Sequence, residues 1–320
     1  MTQKSTRGFF WLLVALFTIW TNCAWAAGGD IFNIIDGNLQ KRVNGVVGLI
    51  GYAIVPDVTT SSLSITNAST GDPGIYSTQF GGGATMSKSF PLYLEGVAAY
   101  TRYDPTFVAS DGTESRFLPL RWNAVTASGG VGWDFPITDK LAIRPILNVA
   151  LGTVASDITA GEWLVNDKLG TDFKFLNGGT FNSYGLGGSL MLVYEDFTPA
   201  REFETELRYT NIALQTFGTN SSIVQGHATS ESMGLWARYR APTGMTLMDR
   251  PVRYVLELAH TEFMGDLRGA LGFNDLTSLG AGIEFDSSKY NVIVTRTRIV
   301  ARYVFGNNVS GVSVGLAVSF

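Results

Sequence analysis

The sequence predicts an all-β fold, a transmembrane antiparallel up-and-down β-barrel of about twelve strands with a short N-terminal helix that is a candidate lumenal element. Three observations favour this class. The chain begins like an exported protein, much of it alternates between apolar and polar residues, and only 16% of its 320 residues are charged. Ordinary soluble domains carry about 25% charged residues, whereas a barrel in a bilayer turns alternate strand residues toward lipid.

The N-terminus has the three parts of a secretory signal. Lys4 and Arg7 form a basic start, an apolar run follows over 9–20, and small residues flank a cleavage site after Ala26. The run is shorter than the ~20 residues that a membrane-spanning helix needs. We therefore predict a signal peptide over 1–26, with an N-terminal membrane anchor as the alternative.

The cysteine and charge content limits the possible cofactors and partners. Cys23 is the one cysteine and lies in the predicted leader, so the mature protein has no disulfide and no cysteine metal ligand. Removal of the leader takes away two basic residues and no acidic one, which lowers the net charge from −4 to −6. Nucleic-acid binding requires a basic patch, and the sequence contains no basic block. We expect no cofactor and no nucleic-acid partner.

A short segment between the leader and the barrel has a helical pattern. Its apolar residues recur at helical spacing after Asp30, a residue type common at helix N-caps: Ile31, Ile34, Ile35 and Leu39. From about Val46 the period changes to two, although 46–55 alternates poorly. The predicted divisions after the signal peptide are a helical plug or linker over 27–45 and a barrel over 46–320.

About twelve segments alternate in the manner of lipid-exposed strands. The last is the clearest, because Val312, Val314, Leu316 and Val318 alternate with glycine, serine and alanine. Each segment is near the roughly 9–11 residues that a tilted strand needs to cross the hydrocarbon. A count of about ten or fourteen stays open. The segments lie near 58–67, 76–87, 91–102, 120–133, 140–153, 182–194, 202–214, 228–240, 252–264, 276–286, 293–305 and 309–320.

The connections between these segments alternate in length. The short set comprises 87–90, 134–139, 195–201, 241–251 and 287–291. The longer set comprises 68–75, 103–119, 154–181, 215–227 and 265–275, with a tight turn at 306–308 as its exception. Bacterial barrels have short periplasmic turns and longer external loops. An even strand number then places the C-terminus in the periplasm.

The last eight residues resemble the signal that the outer-membrane assembly machinery reads on barrel proteins. The polar Ser313 is followed by Gly315, and the apolar Val318 and terminal Phe320 stand three and five positions after the glycine. The resemblance implies that this machinery is a partner of the chain. Outer-membrane lipid and lipopolysaccharide are the other expected partners.

The helical segment, the strands and the terminal phenylalanine together resemble an autotransporter translocator domain. In that family a helix threads the barrel lumen and joins an external passenger to the first strand. Here only some twenty residues separate the leader from the first possible strand. The chain is therefore most similar to the solitary outer-membrane autotransporter-like β-barrel family, which implies a Gram-negative outer membrane, no passenger domain and a lumen plugged by 28–45.

The alternation also predicts charged residues that face the lumen: Glu95, Arg144, Glu204, Glu206, Arg208, Arg238, Arg240, Arg253, Glu257, Glu284, Arg296, Arg298 and Arg302. Opposite charges on facing strands can narrow a lumen or hold a plug. One interpretation is a selective pore in which Arg296, Arg298 and Arg302 favour anions. The alternative is a salt-bridged interior that stiffens the barrel.

The sequence offers few candidates for catalysis or metal binding. His227 and His260 are the two histidines and could approach one another across a hairpin. No identifiable nucleophile, oxyanion donor or metal-ligand set accompanies them. Four acidic residues of one long connection lack EF-hand spacing: Asp157, Glu162, Asp167 and Asp172. We expect no catalytic residues and no metal site.

The leading hypothesis is a non-enzymatic barrel with a plugged or narrow charged lumen, which serves envelope structure or restricted passage. An open small-solute channel is the alternative within the same class. A surface adhesin or receptor that uses the loop 154–181 is the alternative from another class.

Overall fold

The computed structural model describes residues 50–52, 60–67, 74–103, 106–110, 115–119, 122–156, 181–217, 227–270, 272–288, 295–307 and 309–319. These residues belong to one compact unit, Gln40–Phe320. The predicted signal peptide, the helical segment 27–45, Phe320 and most of the loop 154–181 with its four acidic residues lie outside the described ranges. No helix in the described part of the chain is long and apolar enough to cross a membrane.

Twelve long strands form a single antiparallel sheet. They are β1 (Thr60–Asn67), β2 (Ile75–Thr85), β3 (Leu92–Tyr103), β6 (Trp122–Trp133), β8 (Leu141–Ser156), β9 (Phe181–Phe197), β10 (Glu202–Phe217), β11 (His227–Leu247), β12 (Arg250–Gly265), β13 (Asp275–Asp286), β14 (Arg296–Gly306) and β15 (Val309–Ser319). Three shorter strands lie in the connections. β4 (Thr106–Ser110) and β5 (Ser115–Pro119) form a separate hairpin, and β7 (Phe135–Pro136) pairs with the start of β8.

The sheet closes on itself. Each long strand pairs with its neighbours in chain order, with β3 next to β6 and β6 next to β8. The ring is completed where Thr60 pairs with Leu316 and Asn67 with Val309, so that β1 lies against β15. Every long strand therefore has two partners and the sheet has no edge. A closed antiparallel ring satisfies its backbone polar groups internally, as a bilayer requires.

The twelve predicted segments correspond one to one with the twelve long strands, which confirms the predicted fold class. The largest difference is in β11, where 241–251 was expected to be a connection. The strand instead continues to Leu247 through an irregularity between Pro242 and Thr246, and the turn is Met248-Asp249 alone. Both turn residues have positive φ, as a two-residue hairpin turn requires. Pairing with β12 outweighs the low strand propensity of this proline- and glycine-containing stretch.

The start of the barrel also differs from the prediction. Residues 50–52 are helical, although the period of two was expected from about Val46, and the first strand begins at Thr60. Ile50 is only 1% exposed and packs on the inward side of the ring. These residues therefore bury their side chains without joining the wall of the barrel.

The outward face of the ring is apolar. On β8, Leu147, Val149 and Leu151 are 61%, 50% and 59% exposed, whereas the alternate residues Ile146 and Ala150 are at most 4% exposed. Along β15, the four apolar residues of the predicted lipid face are 44–61% exposed. In water such a continuous apolar surface would promote aggregation. In a bilayer it is the face that contacts lipid.

Candidate functional site

The lumen is the candidate functional site, and its two ends differ chemically. The short-turn end carries the connections 86–91, 134–140, 198–201, 248–249 and 287–295. The long-loop end carries 68–74, 104–121, 157–180, 218–226, 266–274 and the tight turn 307–308. By the usual arrangement of bacterial barrels, the short-turn end faces the periplasm. Charged side chains gather toward this end, whereas apolar side chains gather toward the other.

Glu284 of β13 holds three arginines near the short-turn end. Its side chain is 0% exposed, and its oxygens lie 3.2 Å from a nitrogen of Arg240, 3.6 Å from Arg253 and 3.3 Å from Arg298. A buried carboxylate left without partners would cost several kcal/mol. The three arginines stand on β11, β12 and β14, so this one side chain links four strands.

Glu202, the first residue of β10, is a second centre of the same network. Its oxygens lie 2.8 Å from Arg240, 2.8 Å from Arg253 and 3.1 Å from Arg296. Three strands separate β10 from β14 on the ring, so the contact with Arg296 crosses the lumen. Glu202 is absent from the predicted lumenal charges. It lies two residues before Glu204 on the same face of the strand, and the alternation could have identified it.

A second connection across the lumen joins Arg208 of β10 to Glu95 of β3. The guanidinium donates hydrogen bonds of 2.7 and 2.8 Å to the two carboxylate oxygens, and three strands separate β3 from β10. Asn148 donates a hydrogen bond of 2.6 Å to the same carboxylate. This two-pronged geometry between arginine and carboxylate is among the strongest polar contacts in proteins.

Further ion pairs extend the network along the wall. Arg302 donates hydrogen bonds of 2.6 and 2.9 Å to Glu257, and Arg238 binds Glu204. The inward-facing Gly315 leaves room for the first of these pairs, because an added Cβ would lie 2.4 Å from the Arg302 guanidinium. The glycine of the predicted assembly signal is therefore also the residue that the interior requires at this position.

The thirteen predicted lumenal charges all lie on the inward side of the ring. In the described part of the chain, every one of them except Glu206 joins an ion pair. Some partners were not predicted. Arg144 binds Asp134, which lies in the turn after β6, and Arg253 lies 3.5 Å from Asp286 at the end of β13. A turn residue has no alternation that could have identified it.

The apolar end of the lumen is formed by inward residues of many strands together with residues 50–52. Ile50 belongs to a buried cluster with Val154, Ile212 and Leu214 near the long-loop ends of β8 and β10. Gly152 makes this position possible, because an added Cβ there would lie 3.0 Å from the Ile50 side chain. The backbone oxygen of Gly51 accepts a hydrogen bond of 3.3 Å from Ser230 of β11.

The connection between β12 and β13 folds over the same residues. Leu267 and Phe273 of this connection are 5% and 3% exposed. The ring of Tyr52 packs against both Phe263 and Phe273, with centroid distances of 5.9 and 6.4 Å, and these two rings are 5.7 Å from each other. An added Cβ on Gly51 would lie 2.7 Å from Leu267. Residues 50–52 are therefore held from two sides, by the wall and by the connection.

A cavity of about 180 Å³ lies in the lumen beside this apolar cluster. Its charged lining residues are Glu206, Arg208 and Arg302. Its aromatic and aliphatic lining includes Tyr52, Phe263, Leu276 and Trp236. Residues with hydroxyl groups also line its wall: Tyr93, Thr210, Ser232, Thr261, Ser278 and Ser313.

The two histidines do not form a pair. His227 pairs along the backbone with Gln215 of β10, whereas His260 stands opposite Leu235. Residues 227 and 235 are eight positions apart, or roughly 26 Å along the strand. The expectation that the histidines meet across the hairpin is wrong, because the register of β11 against β12 separates them. The ring of His260 is exposed and lies 2.9 Å from the Thr277 hydroxyl.

The described residues contain no group of three or more histidines, cysteines and carboxylates that could hold a metal ion. Of the predicted assembly signal, Ser313 is buried at 5% exposure and faces inward with Gly315, while Val318 is 44% exposed and faces outward. This alternation is the one that a strand in the wall of a barrel requires.

A closed ring, an apolar outward face and a charged inward face together define a transmembrane β-barrel of the outer-membrane type. The chain is such a barrel, and its location is the outer membrane of a Gram-negative bacterium.

Solved structures with a similar fold are also barrels, although no protein-family model and no curated protein matches the chain. The transport unit of the autotransporter AIDA-I from Escherichia coli is 12% identical with a TM-score of 0.46, and the match covers 87% of this chain and 99% of that one. The translocator domain of autotransporter NalP from Neisseria meningitidis is 12% identical with a TM-score of 0.43, covering 88% and 95%. LpxR from Salmonella typhimurium is 10% identical with a TM-score of 0.40, covering 82% and 100%. The likeness is one of fold.

Proposed function

We propose that the chain is a barrel of the autotransporter-translocator type whose narrow, charged lumen is closed by its own N-terminal segment. Such a barrel serves envelope structure or restricted passage, and it does not act as an open pore. The observation that carries this proposal is the burial of residues 50–52 against the inward faces of β8, β11 and β12. The predicted plug over 28–45 precedes these residues in the chain.

The ion pairs at the short-turn end support the same proposal. Arg208 with Glu95 and Arg296 with Glu202 join strands on separate parts of the ring. Each pair therefore narrows the lumen near the short-turn end, and the N-terminal segment closes what remains. Breaking a buried pair such as Arg208 with Glu95 costs about 3–5 kcal/mol, so the narrowing is stable.

The pairing also weakens the alternative of an anion-selective pore. The three arginines of that hypothesis are Arg296, Arg298 and Arg302, and each has a carboxylate within 3.3 Å. An anion attracted to these guanidinium groups would have to displace the carboxylates. Selectivity for anions needs positive charge that is open to the ion.

Planar-bilayer conductance of the refolded mature protein tests the proposal against two deletions. Removing 28–52 should convert a silent barrel into a conducting one, because Ile50, Gly51 and Tyr52 leave the lumen. Removing 28–45 alone separates the contribution of the predicted plug from that of the three buried residues. Heat-modifiable gel mobility checks that each barrel is folded. Equal steady currents from the full chain and from the 28–52 deletion would instead establish the open channel.

The remaining interactions follow from the class of the protein. We propose that the outward face contacts outer-membrane lipid and lipopolysaccharide and that the last strand is read by the assembly machinery. No described contact favours an adhesin or receptor role, whose loop 154–181 is mostly outside the described ranges. A non-enzymatic role stays a prediction. Hydrolysis of lipopolysaccharide or peptide that depends on His227 or His260 would overturn it.

A further inference from the structure

Glu206 differs from the other charged residues of the lumen. It is the fifth residue of β10, lines the cavity, and forms no hydrogen bond or ion pair with any residue that the structure describes. Arg144, Arg208 and Arg238 act on it electrostatically, but each is bound to a different carboxylate. An ionised carboxylate inside a protein is unfavourable unless a cation or strong donors neutralise it. Among the residues that the structure describes, none donates a hydrogen bond to the Glu206 carboxylate, so it can accept hydrogen bonds from a bound cation.

The cavity is polar on one side and apolar on the other. Both of its lining arginines already bind glutamates, since Arg208 pairs with Glu95 and Arg302 with Glu257. The remaining charge on its lining residues is the carboxylate of Glu206. Hydroxyl groups of several strands provide further hydrogen-bonding atoms along the wall. The polar side of the cavity is thus suited to a small group that is positively charged and donates hydrogen bonds.

The apolar side is formed by Tyr52, Phe263 and Leu276, which belong to or pack against the buried cluster at the long-loop end. Trp236 stands opposite Glu206, and Ala259 stands opposite Trp236. Phe263 lies four residues further along β12, at a distance of roughly 13 Å along the strand. An elongated molecule could therefore place one end at the carboxylate and the other among the aromatic rings.

We propose that this cavity binds small organic amines, with the ammonium group at the Glu206 carboxylate and an apolar body against Tyr52, Phe263 and Leu276. A volume of about 180 Å³ admits a small elongated ligand of this kind. The ammonium group donates the hydrogen bonds that Glu206 receives from no residue that the structure describes, while the aromatic rings pack against the apolar body. The inference rests on the proposed function in that Tyr52, which borders the cavity, belongs to the segment that closes the lumen.

Equilibrium dialysis with radiolabelled 2-phenylethylammonium tests the proposal on the full mature barrel in nanodiscs. The uncharged 2-phenylethanol, labelled in the same way, measures partition into lipid. Glu206→Gln removes the charge and nearly keeps the shape. Glu262→Gln is the matched control, because Glu262 lies on the outward side of β12. Charge-assisted hydrogen bonds contribute about 1.5–3 kcal/mol, so Glu206→Gln should weaken saturable ammonium binding about tenfold or more.

The wild type and Glu262→Gln should show the same saturable binding of the ammonium ion, and 2-phenylethanol should show partition alone. Absence of saturable binding to the wild type, or equal binding by Glu206→Gln, overturns the proposal. If Glu206→Gln does not fold, Ser278→Phe is the second test, because the larger side chain fills the cavity from β13 without removing a charge. Loss of ammonium binding in this variant supports the site. Unchanged binding overturns it. Equilibrium dialysis measures amine binding, whereas bilayer conductance measures whether the lumen is closed. Failure of the amine site can therefore be distinguished from failure of the proposed function.

Discussion

At the scale of the residue, the interior depends on a few carboxylates that each hold several arginines. Glu284 is the clearest example, because it is fully buried and contacts three guanidinium groups on three strands. Buried ion pairs gain little over apolar packing while they are complete, but an uncompensated buried charge is costly. The effect of a substitution should therefore depend on which member of the network is removed.

Glu284→Ala should lower the free energy of unfolding by about 3–5 kcal/mol, because three buried arginines lose a shared partner. Urea unfolding of the refolded barrel in micelles, followed by intrinsic fluorescence, measures the loss. Lys140→Ala is the matched control. Lys140 forms an ion pair of 2.6 Å with Asp196, but its side chain is 52% exposed, and exposed pairs contribute little. Equal losses in the two variants would show that Glu284 does not organise the network.

The inward position of the charged residues followed from the sequence, whereas their partners did not. Alternation along a strand assigns each residue to the inward or the outward face, and this is sufficient to place Arg208 and Glu95 individually on the inward face. Their contact joins strands β10 and β3, and it depends on the diameter and stagger of the closed ring. The sequence of one strand contains neither quantity. For the same reason, only the structure shows that Glu206 receives no hydrogen bond from the residues it describes.

At the scale of the element, the connection between β12 and β13 acts as part of the lumen. Leu267 and Phe273 are buried against residues 50–52, although connections of a barrel usually lie at its surface. Gly269 and Gly272 have φ of 70° and 86°, a backbone conformation that glycine adopts without strain. These glycines let the chain turn back into the mouth of the barrel.

Phe273→Ala should loosen the N-terminal segment and produce intermittent bilayer current, because Tyr52 loses one of its two aromatic partners. Truncating a buried phenylalanine costs about 3–5 kcal/mol. Phe305→Ala is the control, since Phe305 is 36% exposed on the outward face and does not contact residues 50–52 in the described structure. Bilayer current from the Phe305 variant would contradict the role of the connection. The same conclusion would follow if the 28–52 deletion conducts and neither phenylalanine variant does.

The twelve strands were predictable because each has one lipid-facing side and therefore a strong alternation. Residues 50–52 were not, since they lie inside the ring and their contacts with Gly152, Ser230 and Phe263 come from distant parts of the chain. A short apolar run with glycines fits a strand and a buried helical turn equally well. The continuation of β11 past Pro242 likewise depends on β12 and not on local propensity.

At the scale of the whole molecule, the barrel separates an apolar outside from a charged inside by one layer of backbone. Its stability therefore depends on the surrounding solvent. The outward residues contact one another along the sheet, as Tyr239 and Tyr254 do at a ring-centroid distance of 5.9 Å, but the rest of their apolar surface is stable only against hydrocarbon chains.

Val149→Arg places a charge on the outward face near the middle of β8 and should destabilise the folded barrel in lipid by about 2–4 kcal/mol. Reversible unfolding from lipid vesicles by guanidinium chloride measures the change. Pro199→Arg introduces the same side chain in the exposed turn 198–201 and should have little effect. A cost at Val149 no larger than the cost at Pro199 would mean that β8 does not face the hydrocarbon.

The pairing of β1 with β15 means that the barrel closes only when both ends of the sheet are present. Thr60 and Leu316, which pair across the closing strands, come from opposite ends of the chain. Before this closure both edges of the sheet expose unpaired backbone, which can pair with foreign strands. The join is also short, since β1 contributes only eight residues. A chain that has lost its last strand by proteolysis would therefore keep two unpaired strand edges. A degradative enzyme or a chaperone could recognise these edges.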